Sequence, residues 1–141
     1  MACDPPIGSQ APAVGHLSER RGPSAARPRR GEVWYVFTPG QPDDPHQPRP
    51  AVVVSENVRN RMRDDLIVAP VFSAGQVGPT HVVLPARSSG LRHDSVIFCE
   101  EITTIDHDFL GRGPVGTLSP KLMDAVVRAV RRAIGEVVAE S

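Results

Sequence analysis

The stretch that decides the fold is Arg49-Pro50-Ala51-Val52-Val53-Val54-Ser55. Its continuous apolar run has the length and the β-branched composition of a buried strand. The strand follows a proline-rich loop, so the guanidinium of Arg49 lies where the chain enters the strand. Because that group keeps its charge and offers a fork of N–H donors, we predict that Arg49 binds an anion; the alternative is an ordinary surface arginine at a strand start.

Further apolar runs on both sides of this stretch predict at least five strands in all. They are bounded by Pro, Gly and Ser residues, which commonly form the turns between short strands. Short strands at this spacing favour a small antiparallel barrel over a parallel α/β sheet. The runs are Gly31 to Thr38, Leu66 to Phe72, His81 to Leu84, and Ser95 to Glu100.

The end of the chain has a helical pattern instead. Ser119 is a suitable N-cap, Pro120 fits the first turn, and apolar residues recur every three or four positions. We predict a C-terminal helix that packs one face on the barrel. The apolar positions are Leu122, Met123, Val126, Val127, Val130 and Ile134.

Residues 1–29 are rich in Pro, Gly, Ser and Arg and show no apolar periodicity. Such a segment cannot bury enough apolar surface to offset the entropy of ordering it, so we predict a disordered tail before a single folded domain at 30–141. A second mobile segment is expected at Gln41 to Pro48, which contains three prolines. The chain has neither the apolar core of a secretory signal nor a run long enough to span a bilayer, which predicts a cytoplasmic protein.

Charge and cysteine content limit the possible functions. Residues 1–30 contain five basic and two acidic residues, whereas residues 31–141 contain 11 and 14. A domain that is slightly acidic is not built to hold long nucleic acid through phosphate contacts alone, so any nucleic-acid binding should be short and local. Cys3 in the tail and Cys99 in an apolar strand have no obvious partner for a disulfide.

Three segments together resemble the MazF/PemK family of bacterial toxin endoribonucleases: Arg30-Gly31-Glu32-Val33-Trp34, the Arg49 to Ser55 stretch, and Asp94-Ser95-Val96-Ile97-Phe98-Cys99-Glu100-Glu101. The resemblance runs from about Arg30 to Gly135. It implies a partly open SH3-like barrel that forms a homodimer, is held inactive by a cognate antitoxin, and cuts single-stranded messenger RNA at short sequences. It also implies a transesterification without metal ion or other cofactor, in which the ribose 2′-OH attacks the adjacent phosphorus.

The resemblance places the family's catalytic arginine at Arg49. The family's second catalytic position, usually a threonine on the third strand, is occupied by Phe72, and Ser73 is the nearest hydroxyl. Successive strand residues point to opposite faces, so Ser73 needs a bulge or a twisted strand end to reach the same phosphate. Phe72 either stacks on an RNA base or is a core phenylalanine.

The family's acidic position, used in some members for proton transfer or base contact, falls on Glu100. Glu101 replaces a more usual glutamine and is a second candidate for RNA contact; the alternative is that both carboxylates are merely solvated at a strand end. Some members carry a catalytic histidine in the first loop, where this chain offers His46.

Asn57, Asn60 and Arg61 follow the second strand and have side chains of the types that read base edges and RNA backbone. They are candidate RNA contacts, or simply parts of a solvated connection. The five histidines have neither the mutual spacing nor the cysteine neighbours of zinc motifs, so we expect no metal site.

One rival function comes from another class. A non-catalytic interaction protein of the same fold, either similar to the gyrase-poisoning toxin CcdB or an inactive homologue, would keep the barrel and the helix. Arg49 argues against this rival, since a protein that acts through protein contacts has no need of a phosphate ligand.

Overall fold

The computed structural model describes residues 27–37, 47–73 and 75–137. Residues 1–26 of the predicted N-terminal tail, most of the predicted mobile loop, and His46 lie outside these residues. The last residues of the predicted tail, 27–29, are described, and Pro28 among them is fully buried. In chain order the elements are β1 (Glu32–Val36), β2 (Arg49–Val53), α1 (Asn57–Met62), β3 (Asp65–Phe72), β4 (His81–Leu84), β5 (Ser95–Phe98), a 3₁₀ turn (Cys99–Glu101), β6 (Thr103–Asp106), a 3₁₀ turn (His107–Phe109), β7 (Gly116–Thr117) and α2 (Pro120–Ala133).

The strands form one antiparallel system with the order β4-β5-β3-β2-β1-β7. The long strand β3 divides its free edge between two partners: its first half pairs with β6, and its last residues pair with β5. Its other edge pairs with β2 wherever the two strands lie side by side. This change of partner bends the sheet into a half-barrel, so the predicted mainly β fold with a C-terminal helix is confirmed.

Side chains pack on both faces of the central strands. One core cluster lies under α2 and includes Val52, Ile97 and Val126; the other includes Trp34, Val53 and Leu66. Because successive strand residues point to opposite faces, Val52 and Val53 enter different clusters. Strand β2 is therefore covered on both sides, as its continuous apolar run predicts.

The C-terminal helix is confirmed, with the Ser119 hydroxyl oxygen accepting a hydrogen bond from the backbone N–H of Leu122. Its predicted apolar stripe was too long by one position, since Ile134 lies past the last turn and is 74 % exposed. The predicted strand Ser95 to Glu100 ends earlier, at Phe98, and continues as a 3₁₀ turn.

The expectation of an irregular polar connection after β2 was wrong, because Asn57–Met62 form a helical turn and a half. The Glu56 carboxylate caps this helix by accepting hydrogen bonds from the N–H groups of Val58 and Arg59. Glutamate is not among the residues usually preferred at this position, which is why the helix start was missed.

Cys99 is fully buried, and desolvation, followed by the neighbouring Glu100 carboxylate, raises the pKa of its thiol to about 12. The thiolate is the reactive form of cysteine, so Cys99 acts as a small core residue. Within the described ranges, no helix has the length and apolar character needed to cross a membrane.

Candidate active site

Arg49 opens onto a surface cavity of about 390 Å³. The cavity lies between the ends of β1, β2 and β3 and the segment that leads into β5. We call it the Arg49 groove; the side chains that matter for its chemistry are those of Tyr35, Arg49, Phe72, Ser73, Arg92 and His93.

Sheet register places Arg49 at the edge of this groove. Arg49 is the first residue of β2 and lies opposite Val36, while Pro50 lies opposite Tyr35. The guanidinium carbon of Arg49 lies 5.2 Å from the centroid of the Phe72 ring. This distance is within the range of a cation–π contact, which holds the charged group toward the cavity.

Phe72 belongs to neither core cluster. Its ring is half-buried, meets the edge of Phe98 with centroids 4.8 Å apart, and lines the groove beside Arg49. The core alternative for this residue therefore does not hold. A ring at the surface of the groove is available for contact with a flat ligand.

Ser73 also lines the groove, although Phe72 precedes it directly. Strand β3 ends at Phe72, so the alternation of faces no longer applies to Ser73. Ser73 therefore lies just past a strand end, and contact of its hydroxyl with the phosphate stays a prediction. Arg49, Phe72 and Ser73 meet in one cavity.

Glu100 is not brought into the Arg49 groove. Its carboxylate oxygens accept hydrogen bonds from the Thr80 hydroxyl at 3.1 Å and from Nε2 of His81 at 3.0 Å. Nδ1 of His81 accepts the backbone N–H of Gly78 at 2.9 Å, so the proton of the neutral ring resides on Nε2. The His81 ring stacks on Phe98 with centroids 4.2 Å apart.

This arrangement predicts a measurable change at Glu100. Desolvation acts to raise the pKa of Glu100, but hydrogen bonds from His81, its own backbone and Thr80 outweigh it and hold the pKa below its ordinary value. A lowered carboxyl pKa means that the interaction stabilises the fold above about pH 4.3 and that this contribution is lost as the pH falls through the folded-state pKa. In His81→Phe we expect the pKa of Glu100 to rise, as measured by carboxyl NMR titration; an unchanged titration midpoint would contradict the pairing.

The other predicted RNA contacts lie elsewhere. Glu101 is exposed on the 3₁₀ turn and does not line the groove. Asn57 and Arg61 line a second cavity of about 280 Å³, together with Arg27 and Arg29. The Asn57 side-chain oxygen accepts the backbone N–H of Arg30 at 2.7 Å.

Asn60 is fully buried, so the structure corrects its prediction as an RNA contact. Its Oδ1 accepts the Ser55 hydroxyl at 2.6 Å, and its Nδ2 donates to the Ser55 carbonyl at 2.9 Å. The Ser55 hydroxyl oxygen in turn accepts the N–H of Ile67 at 3.0 Å. Asn60 therefore ties α1 to the segment after β2 and, through Ser55, to β3.

We expect Asn60→Ala to lower the free energy of unfolding by about 1–3 kcal/mol, because it removes two buried hydrogen bonds and leaves their Ser55 partners unsatisfied. Urea denaturation measures this loss. The adjacent exposed substitution Arg61→Ala is the control and should change stability by less than about 0.5 kcal/mol. Equal effects of the two substitutions would contradict the structural role of Asn60.

Arg92 and His93 were missed as candidates for the groove. They lie three and two residues before β5, whose residues Val96 and Ile97 pair with Phe72 and Val71 at the end of β3. Antiparallel pairing brings residues before one strand beside residues after the other. An Arg-His pair before an apolar strand resembles the setting of Arg49, but only the β3–β5 pairing shows that both belong to one site.

Where the structure describes the chain, no three His, Cys, Asp or Glu side chains cluster closely enough to hold a metal ion. The positive charge at the groove comes from Arg49 and Arg92.

The chain matches proteins of a known family over most of its length. Residues 29–134 match the model of the PemK-like, MazF-like toxin of type II toxin-antitoxin systems. The chain is 32 % identical over 106 residues to the endoribonuclease EndoA of Bacillus subtilis strain 168, covering 73 % of this chain and 90 % of EndoA. It is 31 % identical over 112 residues to the endoribonuclease MazF of Staphylococcus saprophyticus, covering 76 % and 91 %.

Solved structures show the same fold. A mycobacterial endoribonuclease in complex with its cognate antitoxin superposes with a TM-score of 0.67 at 24 % identity, covering 79 % of this chain and 99 % of the other. A MazE–MazF structure from Deinococcus radiodurans gives 0.65 at 23 % identity, with 79 % and 100 % covered. On the match over residues 29–134 and the two relatives above 30 % identity, this chain belongs to the PemK-like, MazF-like family of type II toxin-antitoxin toxins.

Proposed function

We propose that this toxin is an endoribonuclease that cleaves single-stranded messenger RNA at the Arg49 groove. The observation that carries the proposal is the arginine held over an aromatic ring at the edge of an open cavity. The names of the two relatives, both endoribonucleases, support it.

The reaction is a transesterification. The ribose 2′-OH attacks the adjacent phosphorus, the bond from phosphorus to the 5′-oxygen breaks, and the products carry a 2′,3′-cyclic phosphate and a 5′-hydroxyl. Arg49 binds two phosphate oxygens and stabilises the negative charge that develops on them. The Ser73 hydroxyl donates a further hydrogen bond to the same phosphate.

Single-stranded RNA suits this groove because its bases can turn out and stack on aromatic side chains. Phe72 offers such a ring next to the phosphate ligand, and we assign it to base stacking. Cleavage at short sequences fits a domain without a large basic surface, in which base contacts must supply much of the selectivity.

Regulation follows the type II scheme. We assign to the chain a cognate antitoxin, as seen for the mycobacterial neighbour, a homodimeric assembly, and a cytoplasmic location, where messenger RNA is found. Residues 30–141 act as the toxin domain in this proposal.

The test is incubation of the purified protein with a long RNA in EDTA, followed by mapping of the cut ends. We expect discrete cuts with 2′,3′-cyclic phosphate and 5′-hydroxyl ends, unchanged when Mg²⁺ is restored. Absence of cutting over a range of RNAs would overturn the proposal, and inhibition of gyrase supercoiling by the same preparation would then favour the non-catalytic alternative.

A further inference from the structure

Transesterification needs a group that accepts the 2′-hydroxyl proton, and the residues assigned so far do not provide one. The Arg49 side chain is a guanidinium, which offers N–H donors and no acceptor. A serine hydroxyl such as that of Ser73 is a poor acceptor, and Glu100 is held by Thr80 and His81 outside the groove. Of the residues that the structure describes, those left to accept the proton are the others that line the groove.

Among the described residues that line the Arg49 groove, His93 is the one with an imidazole, the side chain that enzymes use most often as a general base. The other titratable lining residues are Tyr35, Arg49 and Arg92. An ordinary histidine is mostly neutral above about pH 7, and a neutral imidazole has one nitrogen that accepts a proton. His93 is solvent-exposed, so RNA can reach it.

The backbone around His93 is well anchored. Its carbonyl oxygen accepts the Ser95 hydroxyl at 3.1 Å, and the next carboxylate, Asp94, accepts the N–H of Ala86 at 2.8 Å. Two residues earlier, Leu91 is buried in the core under α2. The backbone of His93 is therefore fixed beside the groove, which limits the positions that its side chain can reach.

From this placement we propose that His93 is the general base of the reaction. This inference rests on the proposed endoribonuclease function. One imidazole nitrogen takes the 2′-hydroxyl proton as the bond from the 2′-oxygen to phosphorus forms. The 5′-oxygen leaves with the electron pair of its bond to phosphorus and takes a proton from water, and the imidazolium returns its proton to solvent before the next turnover.

The charged or ionisable side chains that line the same cavity are those of Arg49 from β2, Arg92 from the same segment and Tyr35 from β1. The Asp94 carboxylate is adjacent in the chain and is engaged with Ala86. The two guanidiniums complement the negative charge of the phosphate as it gains its fifth oxygen. The proposed proton acceptor, His93, and the side chains that bind the phosphate therefore line one cavity.

Single-turnover cleavage of a short RNA that contains a mapped cut site tests the proposal, with wild type, His93→Gln and the control His81→Gln compared from pH 5 to 9. General acid–base groups contribute about 10²–10⁴-fold, so we expect His93→Gln to cleave at least about 100-fold more slowly, with little change in RNA binding. Wild type and His81→Gln should lose rate below neutral pH, and His93→Gln should lack this decline. Thermal melts of each variant check that folding is intact.

Added imidazole provides a second readout, since it can replace a missing side chain that acts as a base. It should restore part of the activity of His93→Ala and none of the activity of Arg49→Ala. If wild type cleaves and Arg49→Ala does not, while His93→Gln retains the wild-type rate and pH profile, the role of His93 is overturned and the proposed function stands. If wild type fails to cleave any RNA, the proposed function itself fails.

Discussion

Arg49→Ala should cleave RNA about 10²–10³-fold more slowly than wild type, the usual cost of removing one donor aimed at a developing oxyanion. The guanidinium has two effects on the phosphate, a positive charge and a planar fork of donors. Arg49→Lys keeps the charge and loses the fork, so its rate should fall between those of wild type and Arg49→Ala. Single-turnover cleavage of a fluorescent RNA measures the three rates.

Arg128→Ala is the control for charge, since Arg128 is exposed on α2 and does not line the groove. It removes the same formal charge and should cleave at the wild-type rate. Cleavage by Arg49→Ala at the wild-type rate would show that the phosphate is bound elsewhere, for example at the second cavity near Arg61.

Gly90→Ala should lower the free energy of unfolding by about 2–5 kcal/mol, the sum of about 1–2 for a left-handed backbone and about 1–3 for overpacking. Gly90 has a φ of +89°, and a Cβ at this position would lie 2.3 Å from the carbonyl oxygen of Val115. Urea denaturation measures the loss. Gly90 begins the segment that carries Arg92 and His93, so cleavage should fall as well.

Three other glycines separate the two causes. Gly116 has no left-handed φ, but a Cβ added there would lie 2.1 Å from the carbonyl oxygen of Ser89. Gly135 has a φ of +102°, and no atom lies within 4 Å of an added Cβ. Gly113 has neither a left-handed φ nor a close neighbour. We expect about 1–3 kcal/mol for Gly116→Ala, about 1–2 for Gly135→Ala, and less than about 1 for Gly113→Ala. If Gly90→Ala costs no more than Gly135→Ala, the loop relaxes around the added methyl group.

The fold was largely predictable because the strands around Arg49 are apolar on both faces and the C-terminal helix has a clear cap and stripe. Strand β6 was missed because two of its four residues, Thr103 and Thr104, are exposed and leave no apolar run to recognise. Helix α1 was missed because its one buried residue is Asn60, a polar side chain that gives no apolar signal.

The candidate site was only partly predictable. Arg49 could be found from its place at the start of an apolar strand, whereas Phe72 and Ser73 were found only through the family resemblance, which puts its second catalytic position there. Glu100 was expected at the end of a strand, but the chain turns at Cys99 and carries the carboxylate toward His81. His93 requires knowledge of which strands pair, and strand pairing is a long-range property that local sequence does not encode.

The contact between Arg49 and Phe72 has a consequence for the thermodynamics of substrate binding. A long cationic side chain on an open surface loses much rotational freedom when it closes on a phosphate, and that loss weakens binding. Here folding already restricts the guanidinium, since sheet pairing fixes the backbone of Arg49 and the Phe72 ring lies beneath its charge. Part of the side-chain entropy that Arg49 would lose on binding a phosphate is therefore already lost on folding. The groove is preorganised before RNA binds.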